Sequence, residues 1–507
     1  MARVTTLFFL ALFTAACGEA SVLDWNAGTS AFPLPDESKG DNYISSNARE
    51  YLLTGTAFAP LPEGFDALSD EERASTLEST VGSHLTKVVR SIKRDVTNAI
   101  RTANGGSLDK KDAFFIYVKR DAGESHSTEV QFDGTARYQF TLELVGNWYL
   151  MSAVAPGDSS IRSFDVKIQG YMGEPDAPVV SVQIQGTQSQ DAFPKYNELF
   201  EDGVFDIAIH FGGDYNSGRH DLETVKWLLE TLTKDGWENP YVTDFDSLKI
   251  DSPPFTRTLK VEGRDIETRI KIVHSDMVEE ADEEKLSDSM KESFATADIV
   301  VYSGHAGSGA GFILDYQPKH EIKAADFATL PLAEKYQIYV FDGCMTYRTY
   351  VDDMMKNPAK NWDNVDIMTT VNTTPFGAGY QVLWELIYWL TLTNDNGDHF
   401  PLSWKTLLRG INTRSFKEVH YGVHGVDADP QLNPHGGVEM LCRACQIDGD
   451  CGPGGNLCLG YNTGASCGVA CTTDKACPDG FRCARITEDP DLFYLAKQCV
   501  KRSYSCQ

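Results

Sequence analysis

Two apolar stretches end in side chains able to do nucleophilic chemistry. DIVVYSGHAGSG leads into His305 within a glycine-rich loop, and YQIYVFDGCMTY leads into Cys344. A thiol near its ordinary pKa of about 8.5 is a weak nucleophile at neutral pH, and a neighbouring imidazole raises its thiolate fraction or protonates a leaving amine. Such chemistry also needs donors for a tetrahedral oxyanion. The N–H groups of Ala306 and Gly307, in a loop with Gly304 and Gly309, are candidates, and the Cys344 N–H at the start of the next turn is another. The ordinary alternatives are a buried inert thiol and a loop histidine with a satisfied hydrogen bond.

The elements that must position these groups are read between residues 201 and 412. FDIAIHF, IETRIKIVHS, DIVVYSGH, KYQIYVFDGC and VDIMTTV are strand-like, and HDLETVKWLLETLTKDGW and EEKLSDSMKESFATA are helix-like. A short helix is expected from about Thr346 to Met355 and an apolar one around Trp384. Strands alternating with helices imply crossovers and a mostly parallel sheet covered on both faces, hence the nearly continuous apolar runs. In such a sheet reactive groups gather where strands end, so His305 and Cys344 belong on one rim and face each other if their strands are neighbours.

Residues 48–200 read as an α+β domain with an antiparallel sheet. Its long helix, 69–103, opens on Ser69 with Glu72 three residues later, the form of a capping box, and runs such as YQFTLELVGNWYLMSAVA and VVSVQIQG follow it. Residues 413–440 read as a connecting loop region, and 441–507 as a small disulfide-rich domain. That last segment holds Cys442, Cys445, Cys451, Cys458, Cys467, Cys471, Cys477, Cys483, Cys499 and Cys506, which suffice for five bridges and show a degenerate repeat. Their spacing is not that of a zinc site, and no metal or cofactor is expected. Cys344 is left over by count and position, and is expected as a free thiol; pairing with the tail is the structural alternative.

Export is read from MARVTTLFFLALFTAAC, with one early Arg3, a short apolar core and small residues before Cys17. Thr14-Ala15-Ala16-Cys17 resembles the lipobox of a bacterial lipoprotein, which makes 1–17 a lipoprotein-type signal segment and implies cleavage just before Cys17, lipid acylation of Cys17 as the new first residue, and a tether over 18–47. An ordinary cleaved signal, giving a secreted protein, is the alternative. The apolar run 380–392 is about 13 residues and contains Glu385, too short for a span of about 20, and reads as a buried helix. With 73 acidic against 45 basic side chains the formal charge is −28, which disfavours nucleic-acid partners.

The pair of strands ending in His305 within a glycine-containing loop and in Asp342-Gly343-Cys344, 39 positions apart, resembles the caspase-like clan of cysteine peptidases: caspases, legumains, gingipains and clostripains. The resemblance covers roughly 202–412 and rests on these two motifs, with Ala306 standing where the clan usually has glycine. It implies a caspase-like fold, with His305 as general acid/base, Cys344 as nucleophile, and N–H groups of Ala306, Gly307 and Cys344 as oxyanion hole. A peptide or protein would then be the substrate. Asp342, Asp363 and Asp366 make a basic side chain beside the cleavage point imaginable, against a structural role for each carboxylate. The competing class is a surface binding or adhesion protein using the same fold as a scaffold.

Overall fold

The computed structural model describes residues 41–46, 48–106, 117–155, 161–168, 178–187, 190–306, 311–316, 319–375, 377–414, 419–427, 429–486 and 496–506. The expectations for the signal segment, for Cys17 and for Gly307 lie outside the described residues.

The long helix of the first unit runs Asp70–Ala103. Its start is the capping box read from sequence: the Glu72 N–H donates to Ser69 Oγ, and the Ser69 N–H donates to Glu72 Oε2 at 2.9 Å. Val81, Leu85, Val88, Ile92, Val96 and Ile100 recur every three or four residues, so one stripe is buried against a sheet. That sheet has five antiparallel strands in the order β3 (Tyr117–Val130), β4 (Thr135–Asn147), β2 (Ala48–Pro60), β6 (Val179–Gly186), β5 (Arg162–Lys167). The run read as strand-like to residue 155 stops at Asn147, whose side-chain oxygen accepts from the N–H groups of Tyr149 and Leu150 and starts a short helix, Trp148–Met151.

The second unit is an eight-stranded mixed sheet. Five strands are parallel: β7 (Val204–Phe211), β9 (Arg264–Val273), β10 (Ile299–Ser303), β13 (Gln337–Asp342) and β14 (Val365–Thr370). They lie side by side as β9-β7-β10-β13-β14, so the chain goes outward from β7 to β9 and then returns to the other side of β7. One face packs on the helices His220–Lys234, Ala378–Leu390 and Trp404–Arg414, the other on Glu284–Thr296 and the short turns Thr346–Thr349 and Val351–Met354. The apolar run around Trp384 is therefore a buried helix, and among the described residues no helix is long and apolar enough to cross a membrane.

This unit contains three strands that the sequence reading does not include. β8 (Phe255–Val261) makes a hairpin with β9 through Glu262 and Gly263, both at positive φ. The supposed connecting loop 413–440 contributes β15 (Tyr421–His424), and the supposed tether contributes β1 (Ile44–Ser45), paired antiparallel to β15. Tyr43 and Ile44 are each 2% exposed, so this part of the chain is core. Strands of two and four residues carry too few side chains for periodicity; their hydrogen bonds come from partners hundreds of positions away. A further hairpin, β11 (Phe312–Tyr316) with β12 (Lys319–Ile322), lies between β10 and β13 in sequence.

The tail closes its ten cysteines among themselves as 442–506, 445–458, 451–467, 471–483 and 477–499. Two hairpins, β16 (Cys458–Tyr461) with β17 (Gly464–Cys467) and β18 (Phe481–Ile486) with β19 (Ala496–Lys501), carry the repeat. Within 445–467 and again within 471–499 the first cysteine pairs with the third and the second with the fourth, and the bridge 442–506 closes the whole. Two groups of three sulfurs approach within 4.8 Å, but every one of these sulfurs is already in a bridge.

Candidate functional site

The site forms where β7, β10 and β13 end, beside the point at which the parallel strands reverse their order. The three following loops are stitched together: the Gly212 N–H donates to Ser303 O at 2.9 Å, and the Gly304 N–H donates to Asp342 O at 3.0 Å. Glycine is needed at this rim. A Cβ on Gly304 would meet Gly212 Cα at 3.0 Å, and one on Gly343 would meet the Ala306 methyl at 2.6 Å. The chain then presents Asp214, His305 and Cys344 within one or two residues of these contacts.

His305 is 6% exposed and held on several sides. Its carbonyl accepts from Tyr302 Oη at 2.6 Å, its ring stacks on Tyr215 at 4.9 Å, and Tyr316 of the β11–β12 hairpin meets it edge-on at 5.4 Å. Nε2 lies 3.2 Å from Asp214 Oδ1. The same carboxylate accepts from the Asn216 N–H at 2.9 Å and the His220 N–H at 3.3 Å, so it also satisfies the first turn of helix His220–Lys234. With Nε2–H donating to Asp214 Oδ1, the ring is in the tautomer that leaves Nδ1 as the basic nitrogen. Sequence reasoning missed Asp214, although a signal was present: FDIAIHF runs into Gly-Gly-Asp, the same form as the runs ending at His305 and Cys344.

Cys344 sits in a tight turn. Met345 adopts φ +52°, a left-handed conformation costly for a side chain of this kind, and its N–H donates to Asn372 O at 3.0 Å. Thr374 Oγ1 donates to Gly343 O at 2.9 Å, and Thr346 Oγ1 donates to Phe341 O at 2.8 Å, fastening the turn to its strand and to the segment that follows β14. The helix that follows has four residues, so the Cys344 N–H is a turn donor without a helix dipole behind it.

The expectation of a free thiol is corrected. Cys344 is 1% exposed and disulfide-bonded, and its partner is none of the ten tail cysteines, which are all bonded to one another. The tail alternative falls with it. Position along the chain says nothing about which cysteines approach to bonding range, about 5.5 Å between Cα atoms, and that is a tertiary property.

Of the remaining candidates, Ala306 is 9% exposed beside Gly343. Asp342 is buried, accepts from Ser303 Oγ and Tyr421 Oη at 2.7 Å each, and has its carboxyl pushed up by burial. Asp366 is buried likewise, accepting from Tyr336 Oη at 2.5 Å and Trp404 Nε1 at 2.6 Å; burial pushes its pKa to about 7. Both carboxylates tie strands to neighbouring elements rather than lining an open cleft. Trp389 is core at 4% exposed, while Tyr388 is 39% exposed on the same helix. Comparison with protein families, with curated proteins and with solved structures finds no match.

Proposed function

We propose that the α/β unit is a caspase-like cysteine peptidase carried by an exported protein, and that its nucleophile is held latent as a disulfide. The observation that carries this reading is the meeting of Asp214, His305 and the Cys344 turn at adjacent strand ends, with the Asp214–His305 bond at 3.2 Å. The parallel order, with the first strand between the second and third, is the arrangement in which a histidine after the third strand adjoins a cysteine after the fourth. Asp214 adds to the pair the orienting carboxylate that nucleophile and base arrangements use.

Activation requires a thiol reductant, whose sulfur takes up the partner sulfur while Cys344 leaves as thiolate. His305 Nδ1 then holds the thiol proton. The sulfur attacks a peptide carbonyl, a C–S bond forms, and the carbonyl electrons move to oxygen against N–H donors at Ala306 and Cys344. Collapse expels the amine, protonated by the imidazolium, and water hydrolyses the thioester with His305 as base. Tyr215, 51% exposed over the imidazole, must move for a substrate to enter.

A second reading, a non-catalytic binding protein on this scaffold, is favoured by one observation: Cys344 is both buried and oxidised. Iodoacetamide labelling of the full chain, before and after graded reduction that spares the five tail bridges, separates the two. The peptidase reading expects Cys344 to label only after reduction, at a rate lowered in His305→Ala, together with cleavage of a peptide library that Cys344→Ala abolishes. A Cys344 that stays inert once reduced leaves the binding reading.

A further inference from the structure

The first unit is joined to the α/β unit through a neck. Asn42, just before β1, donates from Nδ2 to Val426 O at 2.9 Å and to Gln190 O at 3.3 Å, so the chain's entry to the first unit and its exit meet there. His424 Nδ1 lies 2.6 Å from Asp41 Oδ2, and Asp191 accepts from Ser403 Oγ at 2.9 Å and from the Lys405 N–H at 3.0 Å. Beyond this neck, β3 of the first unit rests on the short helix Thr346–Thr349, which follows the Cys344 turn.

Glu50 carries the central polar contact. Tyr51 and Leu53 of β2 pack in the core shared with the helix Asp70–Ala103, so by alternation Glu50 belongs to the opposite face of that sheet. A carboxylate on an open sheet face stays hydrated, yet Glu50 is 6% exposed and accepts from Tyr347 Oη. Burial, and then the charges of Glu50 and Glu143, hold the Tyr347 phenol well above its ordinary range, so it keeps its proton and donates. Tyr43 meets the Tyr347 ring edge-on at 5.0 Å, the His424 ring lies 4.8 Å from it, and Ala48, Val145 and Val371 pack around them.

Met345, between Cys344 and that helix, holds φ +52°, a conformation that persists only while its surroundings enforce it. Tyr347 is two residues further on, so the first unit supplies part of that restraint. The contact centres on a desolvated carboxylate that regains hydration when the surfaces part, which leaves it a small margin of stability. Units joined by a neck and a polar contact move relative to one another unless a large apolar interface locks them. We infer that the first unit is a clamp on the Cys344 turn: with Tyr347 seated on Glu50 the bridge at Cys344 is closed to reductants, and tilting of the first unit about its neck opens it. The inference rests on the latency proposed for Cys344 and not on peptide cleavage.

The test treats the full chain with dithiothreitol at a level that spares the five tail bridges, and follows release of the Cys344 thiol by iodoacetamide labelling and peptide mapping. Dithiothreitol supplies both electrons: one of its thiolates attacks the partner sulfur, Cys344 leaves as thiolate, and the other closes the reductant's ring. Tyr347→Phe should speed release at least about ten-fold, the scale of one hydrogen bond to a charged acceptor, and Glu50→Ala, which removes the same bond from the other side, should do likewise. Glu50→Gln keeps an acceptor for Tyr347 and should stay within about three-fold of wild type. Val88→Ala opens a cavity on the other face of the same sheet, lowers the unit's stability without touching Tyr347, and should change the rate less than about two-fold. Release no faster in Tyr347→Phe and Glu50→Ala than in wild type, or an equal acceleration by Val88→Ala, would overturn the inference. Peptide cleavage by the released thiol is scored separately, so a Cys344 that opens as expected yet cleaves nothing removes the peptidase reading alone.

Discussion

Gly343→Ala probes the junction on which the site depends. The added methyl would lie 2.6 Å from the Ala306 Cβ and 2.9 Å from Gly304 O, against an ordinary carbon–carbon contact of about 3.5–4.0 Å. The loops after β10 and β13 must part by roughly an ångström, and overpacking of this kind costs about 1–3 kcal/mol. Ala306→Gly alone removes a buried methyl and loosens the backbone, for a loss of about 1–2 kcal/mol. In the double variant the clash between methyls vanishes while the contact with Gly304 O remains. The combined cost should therefore fall short of the sum by about 1–2 kcal/mol. Urea unfolding followed by tryptophan fluorescence reads this selectively, because six of the eight tryptophans, Trp227, Trp237, Trp362, Trp384, Trp389 and Trp404, belong to the α/β unit. Additivity within about 0.5 kcal/mol would mean that the two loops do not touch, and the site as described would not exist.

Three further outcomes are expected. In reduced protein, Asp214→Asn should lower peptide cleavage by about 10²–10⁴-fold with little change in KM, because the amide presents the wrong hydrogen-bonding partner to His305 Nε2; unchanged kcat would remove Asp214 from the mechanism. Asp366, with its pKa raised to about 7, holds in the folded state a proton that the unfolded chain releases above about pH 4. Its contribution is therefore most favourable at low pH and declines as pH rises to about 7, by up to about 4 kcal/mol. Asp366→Asn should gain stability over wild type between pH 5 and 8 in parallel melts, and a constant difference would refute this. Replacing Cys451 and Cys467 together by Ala opens a loop of 16 positions and should cost about 3 kcal/mol of tail stability, read by proteolysis of that segment.

Long regular elements were legible because their signals are local. Ser69 and Glu72 with a three-four apolar stripe suffice for a helix through Ala103, and alternation suffices for β4 and β6. β1 and β15 were not legible, since two to four residues have no period and exist as strands only through one another and β14. The same division runs through the site: strand ends marked His305 and Cys344, whereas Asp214 lies 91 positions before His305 and was passed over.

The sequence by itself determined that an α+β unit precedes an α/β unit, that ten crowded cysteines form a self-contained framework, and that a histidine and a cysteine end successive apolar strands. Each follows from patterns a few residues long. Only the tertiary structure decided the order of the parallel strands, the seating of Asp214 on His305, the burial and oxidation of Cys344, and the meeting of Tyr347 with Glu50 between the two units. Those depend on which surfaces meet after the chain closes loops of tens to hundreds of residues. No local propensity encodes that meeting; the packing of both sheet faces selects it.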